Sequence, residues 1–259
     1  MSAGAETLST EEETLGNAFE EIGDISGLTV FDVGTEGIAA KYLAERIGDG
    51  RVVGVNFWLG TCERTRKKVG DKLMEKIVFI KDDLRRIDYL KDDFFDLIVS
   101  YETLESVEGM NPGATLPILH QLYRILKHGK WFLAVEHPSL PEVIPTNKAQ
   151  ELNLRYLKIL YHLWGDEWGI GTYRPSQFSE ILRSIGFEEI SWKTVSQAQR
   201  ITDEMVTEMF QGIRGLAEKR VNEGKAKESV LKEIDDISQE GEKSGFCEPP
   251  HYAIYAKKP

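Results

Sequence analysis

From residue 28 to residue 137 the chain repeats one unit: a short apolar run rich in β-branched residues, then a longer stretch of helical period. That alternation leaves few folds open, because successive βα units align their strands in parallel and bury them under helices. The first run is Leu28-Thr29-Val30-Phe31-Asp32-Val33, and Ile38, Tyr42, Leu43 and Ile47 follow at the spacing of a helix face. Gly48 and Gly50 turn the chain into a second run, Arg51 to Asn56, trailed by a basic amphipathic stretch with Arg64, Arg66, Lys67 and Lys68. Ile77–Lys81 and Phe94–Ser100 read as the third and fourth strands. Leu116, Leu119, Leu122 and Leu126 predict a helix closed by His128-Gly129, with a fifth strand from Trp131 to Glu136.

The pattern changes after Pro138. Leu152, Leu154, Leu157, Leu160, Tyr161 and Trp164 mark a helix that runs into the aromatic, Gly-rich loop Trp164–Gly169. Phe178, Ile181, Leu182 and Ile185 predict another, stopped by Gly186 as its C′ residue, before a strand over 187–195. Two amphipathic stretches, Ile201–Leu216 and Val230–Ile237, suggest a helical hairpin, and His251–Ala256 a terminal strand. Ahead of the repeats lies an acidic helix, with Ser9 and Glu12 as its capping box. One domain over 1–259 is expected, carrying that helix in 1–26, a cap insertion at 139–172 and a helical-hairpin insertion at 200–243.

Charge narrows the partners. Against 32 Lys and Arg stand 43 Asp and Glu, a net −11, so phosphate backbones and anionic lipid are repelled. Neither nucleic acid nor a membrane is an expected partner, and no apolar run approaches the ~20 residues of a membrane helix. The first 27 residues hold seven acids and no Lys or Arg, unlike a targeting peptide, which favours a cytoplasmic location. Cys62 and Cys247 are far apart, and His120, His128 and His251 show no ligand spacing, so no metal is expected. Met205, Met209 and Phe210 read as core residues or as a surface for a homodimer through the hairpin.

In an open α/β sheet, ligands lie beyond the carboxyl ends of the strands. Those ends carry Asp32, Gly34, Thr35, Glu36 and Gly37; Asn56; Asp82, Asp83 and Leu84; Ser100 and Tyr101; Glu136 and His137. Gly34 and Gly37 permit a tight turn, and the helix behind them presents free N–H groups to an anion. His137, whose ordinary pKa is near 6.5, is the candidate general base, or else a structural part of the Glu136-His137-Pro138 turn.

Phe31-Asp32-Val33-Gly34-Thr35-Glu36-Gly37 resembles the Gly-rich first motif of the class I S-adenosylmethionine-dependent methyltransferases, most closely the type 11-like small-molecule branch. Phe95–Ser100 is similar to that family's fourth strand, Leu104-Glu105-Ser106-Val107 to its Leu-Glu-His-Val, and Leu126-Lys127-His128-Gly129-Lys130 to its Leu-Lys-Pro-Gly-Gly. Tyr173-Arg174-Pro175 with Ile185-Gly186-Phe187 resembles the approach to its sixth strand. The resemblance implies an α/β, doubly wound, Rossmann-like seven-stranded sheet with strand seven antiparallel. It also implies S-adenosylmethionine as methyl donor, S-adenosylhomocysteine as product, and direct in-line transfer to a small acceptor. The Gly34–Gly37 loop, with Thr35 and Glu36, would cradle the methionine end, ordered by Asp32. Asn56 would hold the ribose, Phe57 would lie along the adenine, and Asp83 or Asp82 with the Leu84 amide would read its edge. Ser100 and Tyr101 would line the floor beneath the sulfonium. Tyr101, Glu105, His162, Trp164 and Tyr173 are the candidate acceptor contacts, and the aromatic content of the insertions suits an apolar or planar acceptor.

Two positions depart from the family pattern. Glu36 stands where glycine lets the backbone close on the cofactor, and Asn56 replaces an acid, offering one acceptor atom where a carboxylate offers two. They motivate the alternative of a catalytically degenerate methyltransferase fold that serves as a binding or assembly subunit. A nicotinamide dehydrogenase fits worse, lacking both the middle glycine of Gly-x-Gly-x-x-Gly and the acid near 56.

Overall fold

The five apolar runs become β1 (Thr29–Val33), β2 (Arg51–Asn56), β3 (Ile77–Lys81), β4 (Phe95–Tyr101) and β5 (Leu126–Glu136) in a computed structural model. It describes residues 11–34, 37–57, 59–137, 144–164, 173–197 and 199–259. The Ser9 cap of the acidic helix and most of the Trp164–Gly169 loop lie outside the described residues. Two later strands, β6 (Glu188–Thr194) and β9 (Tyr252–Lys257), join the five in one seven-stranded sheet of order β3-β2-β1-β4-β5-β9-β6. β1 to β5 pair in parallel, whereas β9 runs antiparallel to both β5 and β6, as the resemblance implied. The two-residue strands β7 (Gln199–Arg200) and β8 (Cys247–Glu248) pair separately.

Helices cover both faces. On one side α1 (Glu11–Phe19) and α2 (Ile38–Arg46) set Leu15, Leu43 and Ile47 against Val30, Leu97 and Val99. On the other, α6 (Thr115–Ile125) and α8 (Pro175–Ile185) pack Leu119, Leu122, Phe178 and Leu182 on Phe31, Ile98 and Phe132. Fully buried side chains of this size each contribute about 1.5–3 kcal/mol of transfer free energy. Between these elements lie α3 (Leu59–Val69), α4 (Asp71–Met74) and α5 (Leu104–Met110). Gly186 ends α8 at φ 115°, the expected left-handed cap.

The helix before β5 differs from the expectation. Leu116 is exposed, and the buried stripe is Ile118, Leu119, Leu122 and Ile125. α6 stops at Ile125, so Leu126 already pairs with Phe95, and His128-Gly129 lies in an irregularity of β5 instead of closing a helix. The Gly129 N–H donates to the Lys258 carbonyl, which ties that irregularity to the chain end.

A third cluster gathers α7 (Lys148–Trp164), α9 (Asp203–Asn222) and α10 (Ser229–Ser244). Leu152, Ile159, Ile213, Ile234, Ile237 and Phe246 form its core, and Lys148 and Arg155 both reach Glu240. The hairpin is present, and its apolar side packs on α7 within the same chain. Met205 is exposed and belongs to no core. Among the described residues no helix is long and apolar enough to cross a membrane.

Candidate active site

A cavity of about 490 Å³ opens at the carboxyl ends of β1, β2 and β3, closed on its other side by α5 and the turn into α6. Six of the expected cofactor residues line it: Gly34, Asn56, Phe57, Asp82, Asp83 and Leu84. Each stands at a strand's last residue or within three residues of it, and parallel strands in register bring their ends to one edge.

Gly34 adopts φ 83°, where only glycine is unstrained, and a Cβ there would stand 2.3 Å from the Thr103 hydroxyl. That hydroxyl donates to the Val33 carbonyl at 2.9 Å, so the turn after β4 is clamped to the turn after β1. The Gly34 N–H donates to the Val55 carbonyl, and the Asn56 side-chain amide donates to the Gly34 carbonyl. Asp32 is buried beneath this turn, and burial pushes its carboxyl up to about 8. Thr35 and Glu36 lie outside the described residues. Gly37 is not at this cavity: its N–H donates to the Thr65 hydroxyl at 3.1 Å, and a Cβ would meet Lys68 at 2.4 Å. It borders a second cavity of about 430 Å³ with Glu11, Tyr42 and Lys68.

At the end of β3, Arg85 grips both carboxylate oxygens of Asp83 at 2.6–3.0 Å and holds its pKa below the usual range. The Asp82 carboxylate accepts from the Asp83 N–H at 2.7 Å. Phe57, 59% exposed, stands at the cavity rim.

The expected floor is split by strand alternation. Ser100 and Tyr101 are neighbours on β4 and face opposite sides of the sheet. Ser100 is fully buried and donates to Glu136 Oε1 at 3.1 Å, away from the large cavity, while Tyr101 joins the α1–α2 core. Glu136 also accepts from the Leu104 and Glu105 N–H groups, so a buried carboxylate caps α5. Glu105 turns inward and accepts the His137 N–H at 2.9 Å. Burial first, then the charge of Glu136, drives the Glu105 carboxyl well up; burial also raises Glu136. Tyr173 packs on Phe178, with ring centroids 5.9 Å apart, and receives the Tyr252 hydroxyl on its carbonyl. Among the described residues, Glu105 and Tyr173 border a void of about 10 Å³ behind α5. His162 is exposed on α7, and the side chain of Trp164 lies outside the described residues.

His137 has neighbours that spacing along the chain does not reveal. Glu102, at φ 49° after β4, accepts from or pairs with His251 Nε2 at 2.6 Å and stands 3.8 Å from His137 Nε2. The two imidazole centroids are 4.0 Å apart. Burial chiefly, with the charge of His251, pushes His137 down to about 4. Against the opposing effect of burial, the hydrogen bond from His251 and the charges of both histidines hold Glu102 at about 2. Glu102 and Thr103 line the large cavity, as do Ser106, Val107 and Asn111 of the α5 region, and sequence reasoning singled out none of the five as site residues. The signal for His251 was available: before an antiparallel strand, it must lie at the same edge as the residues that follow parallel ones.

Residues 31–134 match the family profile described as a methyltransferase domain. A comparison with curated proteins finds no match. Among solved structures, phosphoethanolamine N-methyltransferase 2 of Haemonchus contortus, in complex with S-adenosyl-L-methionine, superposes with a TM-score of 0.59 at 13% identity, covering 97% of this chain and 53% of that one. This chain thus spans about half the length of that enzyme. The YcgJ protein of Bacillus subtilis gives a TM-score of 0.61 at 14% identity over 95% of this chain and 97% of its own. A SAM-dependent methyltransferase of Archaeoglobus fulgidus gives 0.54 at 17% identity over 95% and 94%. Residues 31–134 match a methyltransferase-domain profile, and the fold completed around them is that of the class I S-adenosylmethionine-dependent methyltransferases.

Proposed function

We propose that the 490 Å³ cavity binds S-adenosylmethionine and that the protein transfers its methyl group to a small acceptor. The observation that carries this reading is the convergence of Gly34, Asn56, Phe57 and the Asp82–Leu84 corner on one cavity, of a size usual for small-ligand sites. Phe57 would stack on the adenine, and the Asp82 carboxylate with the Leu84 N–H would read its edge. Asp82 suits this better than Asp83, whose two oxygens are already held by Arg85. Asn56, fixed through its amide to the Gly34 carbonyl, would offer its own oxygen to one ribose hydroxyl. Gly34 and the residues after it would take the methionine end.

The bound cofactor supplies an electrophilic methyl. What remains for the chain is alignment and exclusion of water. His137, kept neutral by burial, could take a proton from an acceptor that must lose one. An apolar or planar acceptor is the class preferred here, with the methyl passing directly in line from donor to acceptor.

Calorimetric titration with S-adenosylmethionine and S-adenosylhomocysteine is the direct test. Binding that Gly34→Val abolishes supports the reading, and no binding at millimolar ligand ends it. The rival, a fold that binds without transferring, draws on Asn56, whose amide is turned into the loop. A large affinity gain in Asn56→Asp would favour that rival.

A further inference from the structure

The cluster behind the cavity also supports a chemistry other than proton transfer at His137. Glu102 ends β4, His137 follows β5 and His251 precedes β9, and these three strands are adjacent in the sheet. One ligand atom from each side chain lies within 4.8 Å of the other two. Both imidazole Nε2 atoms address the same carboxylate oxygen, at 2.6 and 3.8 Å. We propose that Glu102, His137 and His251 form a binding site for a divalent first-row transition-metal ion, open toward the cofactor cavity.

Two histidine nitrogens and one carboxylate oxygen suit zinc, iron, cobalt or manganese, with positions left for water or a ligand. At bond lengths of about 2.0–2.2 Å, small side-chain rotations bring the three donors onto one ion. His251 is fully buried, and its Nδ1 meets the Ser196 hydroxyl at 3.1 Å, the outer-shell partner that orients a metal-binding imidazole. Glu102 reaches the cluster from a left-handed backbone conformation, φ 49°, that a non-glycine residue seldom adopts without a functional constraint. Two further carboxylates stand in its field: burial, then the charge of Glu102, raises the pKa values of both Glu11 and Glu248. A divalent cation would relieve that crowding. Because Glu102 also lines the large cavity, the open positions face the space where an acceptor's oxygen or sulfur would arrive.

The test uses the full, untagged chain stripped with chelator and titrated with cobalt(II), read by its visible absorption, and with zinc(II) by competition. One ion per chain is expected, lost in Glu102→Gln and in His137→Ala, and weakened about 10-fold or more in Ser196→Ala. His137 and Glu102 are chosen because both are less deeply buried than His251, and circular dichroism of each variant checks that it folds. No binding at millimolar cobalt, or binding that survives both substitutions, overturns the site and leaves Glu102 and His251 as a charge-assisted hydrogen bond. S-adenosylhomocysteine affinity, measured on the same samples, separates this result from the fate of the methyl-transfer reading.

Discussion

The carboxyl edge of the sheet has two unlike halves. Around β1, β2 and β3 it is an open cavity, walled by Leu84, Val107 and Ile118, rimmed by Phe57 and charged mainly at the Asp82–Arg85 corner. Around β4, β5 and β9 it is dense with titratable groups: Glu102, Glu105, Glu136, His137 and His251. The first half is shaped to admit a ligand. The second is wired internally, each carboxylate committed to an amide, a hydroxyl or an imidazole. The difference teaches that strand ends alike in sequence can border open space in one half of an edge and be engaged with one another in the other.

The sharpest way to break this contrast is Gly34→Val. A β-branched side chain at φ 83°, placed 2.3 Å from Thr103, should abolish cofactor binding and cost about 2 kcal/mol or more of stability. Calorimetry and denaturant melts check both; retained binding would break the cofactor assignment. Next comes Glu136→Ala, which strips the cap from α5 and orphans the Ser100 hydroxyl. A loss of about 3 kcal/mol is expected, less for Glu136→Gln, which keeps an acceptor. If both variants melt like the parent, the second half is not internally wired.

The halves should also differ in pH dependence. Asp32, raised to about 8, binds a proton in the folded state that the unfolded chain has released. Its stabilisation is complete below its ordinary value near 4 and fades as pH rises through 8. His137, lowered to about 4, acts oppositely: its contribution is present above about 6.5 and fades as pH falls toward 4. Melting temperatures from pH 4 to 9 should show Asp32→Asn flattening the alkaline decline and His137→Gln the acid one. Smaller is Phe57→Ala, expected to weaken S-adenosylmethionine about 10-fold by removing a ring from the rim. Smallest is Arg85→Ala: breaking a partly exposed pair should change stability by under about 1 kcal/mol and cofactor affinity only a few-fold. A large loss there would make Asp83, ordered by Arg85, the adenine contact.

The legible part of the site is the part written at the ends of parallel strands. Gly34, Asn56, Asp82, Asp83 and Leu84 each follow an apolar run, and the run announces where its end must lie. Glu105, Ser100 and Tyr173 do not line the large cavity, because a strand-end or motif position does not say which way a side chain turns. His251 and Glu102 are 149 positions apart yet 2.6 Å from each other, a relation no spacing rule along the chain can express.

By itself, then, the order of apolar runs determined the sheet, its two helical layers and the edge where a ligand belongs, because hydrophobic periodicity acts locally and adds along the chain. Only the tertiary structure decided which polar groups on that edge face a cavity and which face one another. That choice depends on the antiparallel entry of the last strand, which carries His251 across to Glu102 and His137, and on packing that gives a buried carboxylate a partner wherever it can.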